Sequence, residues 1–192
     1  MRLRRRMLGV LLALASAQGA AAATIWDEGV NGDLSSDRAN PTPLALALGS
    51  NTIIGSVNGP ERDYFRFNLP AGTSLTQIHL VSYAPDDVGF LAIQTGTQIT
   101  VDPSAPSPAP LLGWVHTAQS QVGSDILDDM GHGGGAIGFT PPLGPGDYSF
   151  WMQQAGAVTT SYELELVVVP EPASAALLAV GLGALALARR RV

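Results

Sequence analysis

The middle of this chain consists of short segments in which apolar and polar residues alternate, and this pattern most restricts the fold. In residues 63 to 69, two phenylalanines and a leucine alternate with Tyr64, Arg66 and Asn68. Residues 75 to 83 alternate in the same way, which would place the odd-numbered side chains on one face. A period of two residues is typical of a β-strand. Seven strands are predicted: Asn51 to Val57, Asp63 to Leu69, Leu75 to Tyr83, Phe90 to Gln94, Leu111 to His116, Tyr148 to Gln153 and Tyr162 to Val168.

Glycine, proline and aspartate separate these segments, which predicts a mainly β protein folded as an antiparallel sandwich. One short helix is expected from Ser124 to Met130, with Ser124 as its cap. Residues 102 to 110 contain four prolines and are expected to form an exposed, semi-rigid connection. Residues 131 to 135 contain four glycines around His132 and are either a flexible loop or a site lined by backbone.

The amino-terminal end is typical of a secretory signal peptide, predicted for residues 1 to 23. Four of the first six residues are arginine, and an apolar stretch and an alanine-rich segment follow. Cleavage by signal peptidase is expected after the Ala21-x-Ala23 pattern. Ala15-Ser16-Ala17 offers the same pattern and leaves a second start open, at Gln18. A retained anchor is disfavoured, because the apolar stretch is shorter than the roughly 20 residues that span a bilayer.

Charge and cysteine content restrict the function of the middle domain, predicted for residues 24 to 168. Seven of the ten arginines lie in the two tails, and the chain has no lysine. Residues 24 to 188 therefore contain three arginines and 16 carboxylates, which gives them a net charge of −13. This charge argues against a nucleic-acid partner, whose phosphates require basic side chains. The chain has no cysteine, so packing or bound ions must stabilise the domain without disulfides.

The carboxy-terminal residues 169 to 192 combine three features in a fixed order. Pro170-Glu171-Pro172 precedes an apolar segment, 173 to 188, and then Arg189, Arg190 and Arg191. This order resembles the PEP-CTERM sorting signal of Gram-negative bacteria. The apolar segment is expected to form a transmembrane helix with its arginines on the cytoplasmic side, so that the preceding chain faces outward. The alternative is a plain membrane anchor.

The PEP-CTERM resemblance implies a route and a set of partners. An exosortase would recognise the tail in the inner membrane, cleave near Pro170 to Pro172 and deliver the protein to the cell surface or extracellular matrix. Proteins of this kind commonly accompany exopolysaccharide production and biofilm formation.

A second resemblance covers parts of the middle domain. Residues 54 to 57, 63 to 67, 70 to 73 and 144 to 150 are similar to the bacterial pre-peptidase C-terminal domain. This resemblance implies a jelly-roll-like β-sandwich, and it implies binding of a ligand or of the matrix more than chemistry.

Two acidic groups are candidate calcium sites, because flexible oxygen-rich loops suit this ion. One group is Asp125, Asp128 and Asp129, and the other is Asp27, Asn31 and Asp33. Neither is an EF-hand, since Arg38 occupies the twelfth position counted from Asp27. The alternative for both groups is a solvated acidic surface.

Aromatic residues suggest a sugar partner, with Trp114 and Trp26 as the candidate ligand residues. Trp151 and Tyr83 are further aromatic candidates. Core packing is favoured for Trp151, and Trp114 is similarly bracketed by Gly113 and Val115. An enzyme is not expected. His132-Gly133-Gly134-Gly135 matches an oxyanion-hole loop of some esterases, but the chain has no Gly-x-Ser-x-Gly elbow.

The sequence therefore predicts an exported, exosortase-processed protein with a structural or binding role in exopolysaccharide or biofilm. A calcium-dependent carbohydrate-binding module is the alternative, and a hydrolase is a distant third interpretation.

Overall fold

A computed structural model describes residues 22–85, 87–154, 156 and 158–171, and it places nine strands in two sheets. The strands are β1 (Ala23–Asp27), β2 (Thr42–Pro43), β3 (Gly49–Val57), β4 (Arg62–Leu69), β5 (Thr73–Ala84), β6 (Gly89–Thr95), β7 (Gly113–Thr117), β8 (Gly146–Gln154) and β9 (Thr160–Pro170). Two short α-helices, α1 (Glu28–Asn31) and α2 (Leu127–Gly131), and a 3₁₀ turn (Gln119–Gln121) complete the elements. A mainly β fold with two sheets is confirmed.

The first sheet has the strand order β1-β3-β9-β5, and the second has the order β2-β4-β8-β6-β7. Five of the strand pairs are antiparallel, as predicted. The pairs β1 with β3 and β2 with β4 are parallel, so the prediction of a wholly antiparallel sandwich is wrong at these two sheet edges. Both edge strands are short, and neither carries enough residues for a period of two to be read from the sequence.

All seven predicted strands are present, but the regular alternation predicted for residues 75 to 83 is wrong. Strand β5 has two bulges in its pairing with β9, between Leu75 and Gln77 and between Leu80 and Ser82. A bulge adds one residue to a strand and changes which side chains face the core. Odd-numbered Leu75 and Tyr83 are therefore buried together with even-numbered Ile78 and Leu80.

The main core fills the space between the two sheets. At its centre the Phe65 and Phe150 rings stack with centroids 5.0 Å apart and planes 3° from parallel. A second, smaller core covers the outer face of the second sheet, where Tyr64 and Trp151 pack with Ile99, Val101 and Leu111. The connection between β6 and β7 supplies these last three residues and gives the second sheet apolar contacts on both faces.

Helix α2 is shorter than the predicted Ser124 to Met130 segment and begins at Leu127. Asp125, rather than Ser124, supports its first turn, because Asp125 Oδ1 accepts the Leu127 N–H at 3.1 Å. Among the residues described, no helix is long and apolar enough to cross a membrane. The predicted transmembrane segment 173 to 188, the arginines 189 to 191 and residues 1 to 21 of the predicted signal peptide lie outside the described residues.

Candidate functional site

An aromatic groove lies on the outer face of the second sheet, beside the smaller core. Its volume is about 220 Å³. Strands β6, β7 and β8 supply its aromatic side chains, and the connection between β6 and β7 supplies the opposite wall. The lining residues are Phe90, Trp114, His116 and Trp151 from the strands and Val101, Pro106, Ser107, Pro108 and Leu111 from the connection.

The four aromatic rings of the groove are in mutual contact. Phe90 stacks on Trp114 at a centroid distance of 5.7 Å, and Trp114 meets His116 edge to face at 5.2 Å. Phe90 also contacts Trp151 edge to face at 5.0 Å. These side chains share one face because each alternates with a buried neighbour on its strand, such as Leu91, Val115 or Phe150. The arrangement is an aromatic surface that is open on one side.

The glycine-rich segment 131 to 135 holds Trp114 in place. The Trp114 Nε1–H donates to the Gly134 carbonyl oxygen at 3.1 Å. A Cβ atom on Gly133 would lie 2.5 Å from the Trp114 carbonyl oxygen and 2.7 Å from its Cδ1, so only glycine allows this approach. The segment thus meets the indole through its own backbone, as one of the two sequence interpretations proposed. Here the Gly134 carbonyl serves as an acceptor, whereas an oxyanion hole uses amide donors.

Two of the other predicted sugar-contact residues, Trp26 and Tyr83, do not lie in the groove. Trp26 is in β1 of the first sheet, where it is half-buried against the main core. Tyr83 is buried in the main core and offers no open face. Trp151 is buried as predicted, and it also lines the groove.

Three carboxylates form what we call the acidic cluster: Glu28, Asp33 and Asp63. Asp63 and Tyr64 are neighbours in β4 and point to opposite faces of that strand. The acidic cluster therefore lies on the face of β4 that is opposite to the aromatic groove. One carboxylate oxygen from each of the three residues lies within 4.8 Å of the other two. Glu28 opens α1 and is held by backbone donors. Its Oε1 accepts the Leu34 N–H at 3.2 Å, and its Oε2 accepts the Ser56 N–H at 2.7 Å.

Asp63 is fully buried, and its two carboxylate oxygens differ in their contacts. Oδ2 accepts the Tyr162 hydroxyl at 2.7 Å, whereas Oδ1 has no hydrogen-bond partner among the described residues. Burial raises the pKa of Asp63 to about 8. The Tyr162 hydrogen bond opposes this rise, and the negative charges of Glu28, Asp33 and Glu61 add to it. Burial also raises the pKa of Glu28.

Of the first predicted calcium set, the structure places Asp27 and Asn31 together at α1, and it places Asp33 in the acidic cluster. Asp27 caps α1, since its Oδ1 accepts the Gly29 N–H at 2.9 Å, and the Asn31 side chain accepts the Asp27 N–H at 3.0 Å. Of that set, Asp33 alone joins the acidic cluster.

The second predicted set is held apart by its backbone contacts. Asp125 accepts the Ile78 and Leu127 N–H groups, while Asp128 lies beside His132. Asp129 belongs to the first turn of α2. In the part of the chain that the structure describes, one group of carboxylates has the spacing of a metal site, and it contains none of these three. Glu28 and Asp63 were missed because 35 residues separate them in the sequence.

The proposed cleavage region continues directly from the sandwich. Pro170 is the last residue of β9 and pairs with Thr73 of β5. The Glu171 N–H donates to the Gly72 carbonyl oxygen at 2.8 Å. Pro172 lies outside the described residues, as does Ala21 of the predicted signal-peptidase site. Ala23 is the first residue of β1, so cleavage after it would leave Thr24 to Asp27 in that strand.

Residues 168–192 match the family model of the PEP-CTERM protein-sorting motif. The chain therefore carries this motif, which implies processing by an exosortase, export and targeting to the cell surface. A search of curated proteins found no match to the chain.

Proposed function

We propose that this exported protein has a structural or binding role in the exopolysaccharide matrix and contacts a polysaccharide through the aromatic groove. The half-buried Trp114 indole, fixed by Gly134 and flanked by Phe90 and His116, supports this proposal. A rigid aromatic side chain offers a large contact area at low entropic cost. The apolar faces of pyranose rings would stack on this surface.

The charge of the domain indicates what kind of polysaccharide fits. Residues 24 to 188 carry a net charge of −13, and like charges repel an approaching polyanion. The groove itself contains no arginine to compensate. We therefore propose a neutral polysaccharide, or a neutral stretch within a mixed polymer, as the ligand.

Substitution of Trp114 by Ala is expected to weaken polysaccharide binding about tenfold or more, since one aromatic anchor at a contact is worth about 1.4 kcal/mol or above. Tryptophan fluorescence titrated with the host's own neutral polysaccharide measures this. Trp26→Phe is the matched control, because it also removes an indole but lies outside the groove, and it is expected to bind like wild type. Equal affinity of the Trp114→Ala and wild-type proteins, or no signal from wild type, would refute the groove as the binding site.

A calcium-dependent carbohydrate-binding module is the second candidate function, and the acidic cluster is the observation that favours it. On this proposal, calcium would increase polysaccharide affinity in the same titration. The third candidate, a hydrolase, finds less support. Ser107 and His116 both line the groove, but His116 Nδ1 contacts the Gly89 carbonyl oxygen at 3.2 Å, and no hydrogen bond joins the two side chains among the described contacts. A hydrolase screen on the purified protein tests this candidate.

Substitution of Glu171 by Ala is expected to block processing at the sorting motif. The hydrogen bond from Glu171 to Gly72 uses the backbone, so alanine keeps it and the variant changes the side chain alone. The unprocessed protein should migrate more slowly than wild type on an immunoblot and should match the product of an exosortase-deletion strain. Identical mobility in all three samples would instead favour a plain membrane anchor.

A further inference from the structure

The acidic cluster contains a buried acceptor that none of the described residues satisfies. Asp63 is fully buried, and its Oδ1 has no partner among the described residues, although the carboxylate lies within 4.8 Å of those of Glu28 and Asp33. Buried polar atoms are nearly always paired, so an unpaired oxygen on a buried carboxylate that belongs to a group of three carboxylates indicates a ligand.

No basic side chain among the described residues forms a salt bridge with this cluster. Within the described residues, the one close contact between a basic and an acidic side chain joins His132 Nδ1 to Asp128 Oδ2 at 3.9 Å, and neither residue belongs to the cluster. Three carboxylates that share one site repel one another unless a proton or a cation intervenes. Their oxygen atoms match the preference of hard divalent cations.

We propose that Glu28, Asp33 and Asp63 bind one calcium ion at the end of the sandwich. Calcium fits better than magnesium, because it accepts irregular sets of carboxylate oxygens, whereas magnesium demands near-ideal octahedral geometry. Extracellular calcium sites work at dissociation constants of about 0.1 to 1 mM, and the sorting motif directs this protein to the outside of the cell. The inference does not depend on the identity of the ligand in the aromatic groove.

The ion would join parts of the chain that belong to different sheets. Glu28 and Asp33 lie in and just after α1, which follows the edge strand β1 of the first sheet. Asp63 lies in β4 of the second sheet. One ion bound by all three would therefore fasten the amino-terminal segment across the open end of the sandwich, a role that disulfides cannot take in a chain without cysteine.

The test is a thermal unfolding series on the full-length chain, purified in mild detergent. Replacing EDTA by about 5 mM CaCl₂ is expected to raise Tm by roughly 3 to 6 °C, as for a site with a Kd of about 0.5 mM. Asp33→Asn should abolish this shift, since Asp33 is the exposed member of the cluster and its loss leaves the core intact. Asp129→Asn is the matched control, because it removes one exposed carboxylate elsewhere and should keep the full shift.

Calorimetric titration with CaCl₂ gives a second readout, with an expected stoichiometry of one ion per chain for wild type and for Asp129→Asn. The proposal is overturned if calcium leaves Tm of the wild-type protein unchanged, or if Asp33→Asn keeps the shift. A response lost in Asp129→Asn but kept in Asp33→Asn would overturn it in favour of the acidic residues of α2. A larger shift with MgCl₂ than with CaCl₂ at equal concentration would overturn the choice of ion.

Discussion

In the presence of a chelator, raising the pH from 5 to 8 is expected to lower the free energy of unfolding by on the order of 4 kcal/mol. The cause is Asp63, whose pKa burial raises to about 8. In the unfolded chain this group loses its proton near its usual value of 3.8. Between these two values the folded state holds more protons at Asp63 than the unfolded state, so the contribution of this group to stability is fully present below pH 4 and is lost as the pH approaches 8.

The groups around Asp63 act in the same direction. Glu28 and Glu61 also have raised pKa values, with burial as the largest cause for each, and Asp33 adds negative charge beside them. Urea unfolding at a series of pH values measures how steeply the free energy of unfolding falls with pH.

Asp63→Asn is the matched variant for this pH dependence, because the amide oxygen can still accept the Tyr162 hydroxyl while the buried charge is gone. We expect this variant to be more stable than wild type at pH 8 in chelator and to show a much flatter pH profile. Wild-type stability that rises from pH 5 to 8, or an equally steep profile for the variant, would contradict the assignment to Asp63.

Substitution of Gly113 by Ala is expected to destabilise the protein by about 1 to 3 kcal/mol through overpacking. A Cβ atom there would lie 2.3 Å from the Met130 carbonyl oxygen and 2.7 Å from Cε1 of Phe139. One of the two close atoms belongs to the backbone of α2, so the helix must move away from β7. Because Trp114 follows Gly113 directly, the variant should also shift the tryptophan emission of the folded protein.

Gly134→Ala is the control for Gly113→Ala. It lies near the same indole, yet a Cβ atom there would meet nothing within 4 Å. Chemical denaturation of the two variants and the wild type measures the difference. If Gly113→Ala were no less stable than Gly134→Ala, the close packing of α2 on β7 would be refuted.

Strand positions were predictable from this sequence because the signal is local. Residues 63 to 69 alternate so regularly that the buried face of β4 follows directly from the pattern. Tyr64 was placed on the polar face, yet it is buried, because residues from the connection between β6 and β7 cover that face with a second core. The burial of Tyr64 depends on contacts between segments that are distant in sequence. The alternation of residues within one strand cannot predict such contacts. The bulges in β5 were missed for the same reason, since pairing with β9 defines them.

The candidate sites were predictable only in part. Trp114 was named from the sequence as a candidate ligand residue, but Phe90 and His116 join it only through the pairing of β6 with β7. The calcium prediction relied on residues close together in sequence; of these, Asp27 caps a helix and Asp125 supports a turn, and Asp33 alone joins the acidic cluster. The acidic cluster takes its members from segments joined by tertiary folding. A clue was present, however, because Asp63 occupies an inward position of a strand whose other inward residues are apolar.

The position of β9 has a mechanical consequence for a protein that stays attached to a surface. This strand lies between β3 and β5, pairs antiparallel with both, and continues directly into the sorting motif. A tether attached at that end would pull along the strand axis, and two full rows of hydrogen bonds would resist the load in shear at the same time. The same load on an edge strand such as β1, which pairs with β3 alone, would be resisted by one row of hydrogen bonds. A cell that anchors this domain by its carboxy-terminal end therefore holds it by a strand well suited to withstand flow.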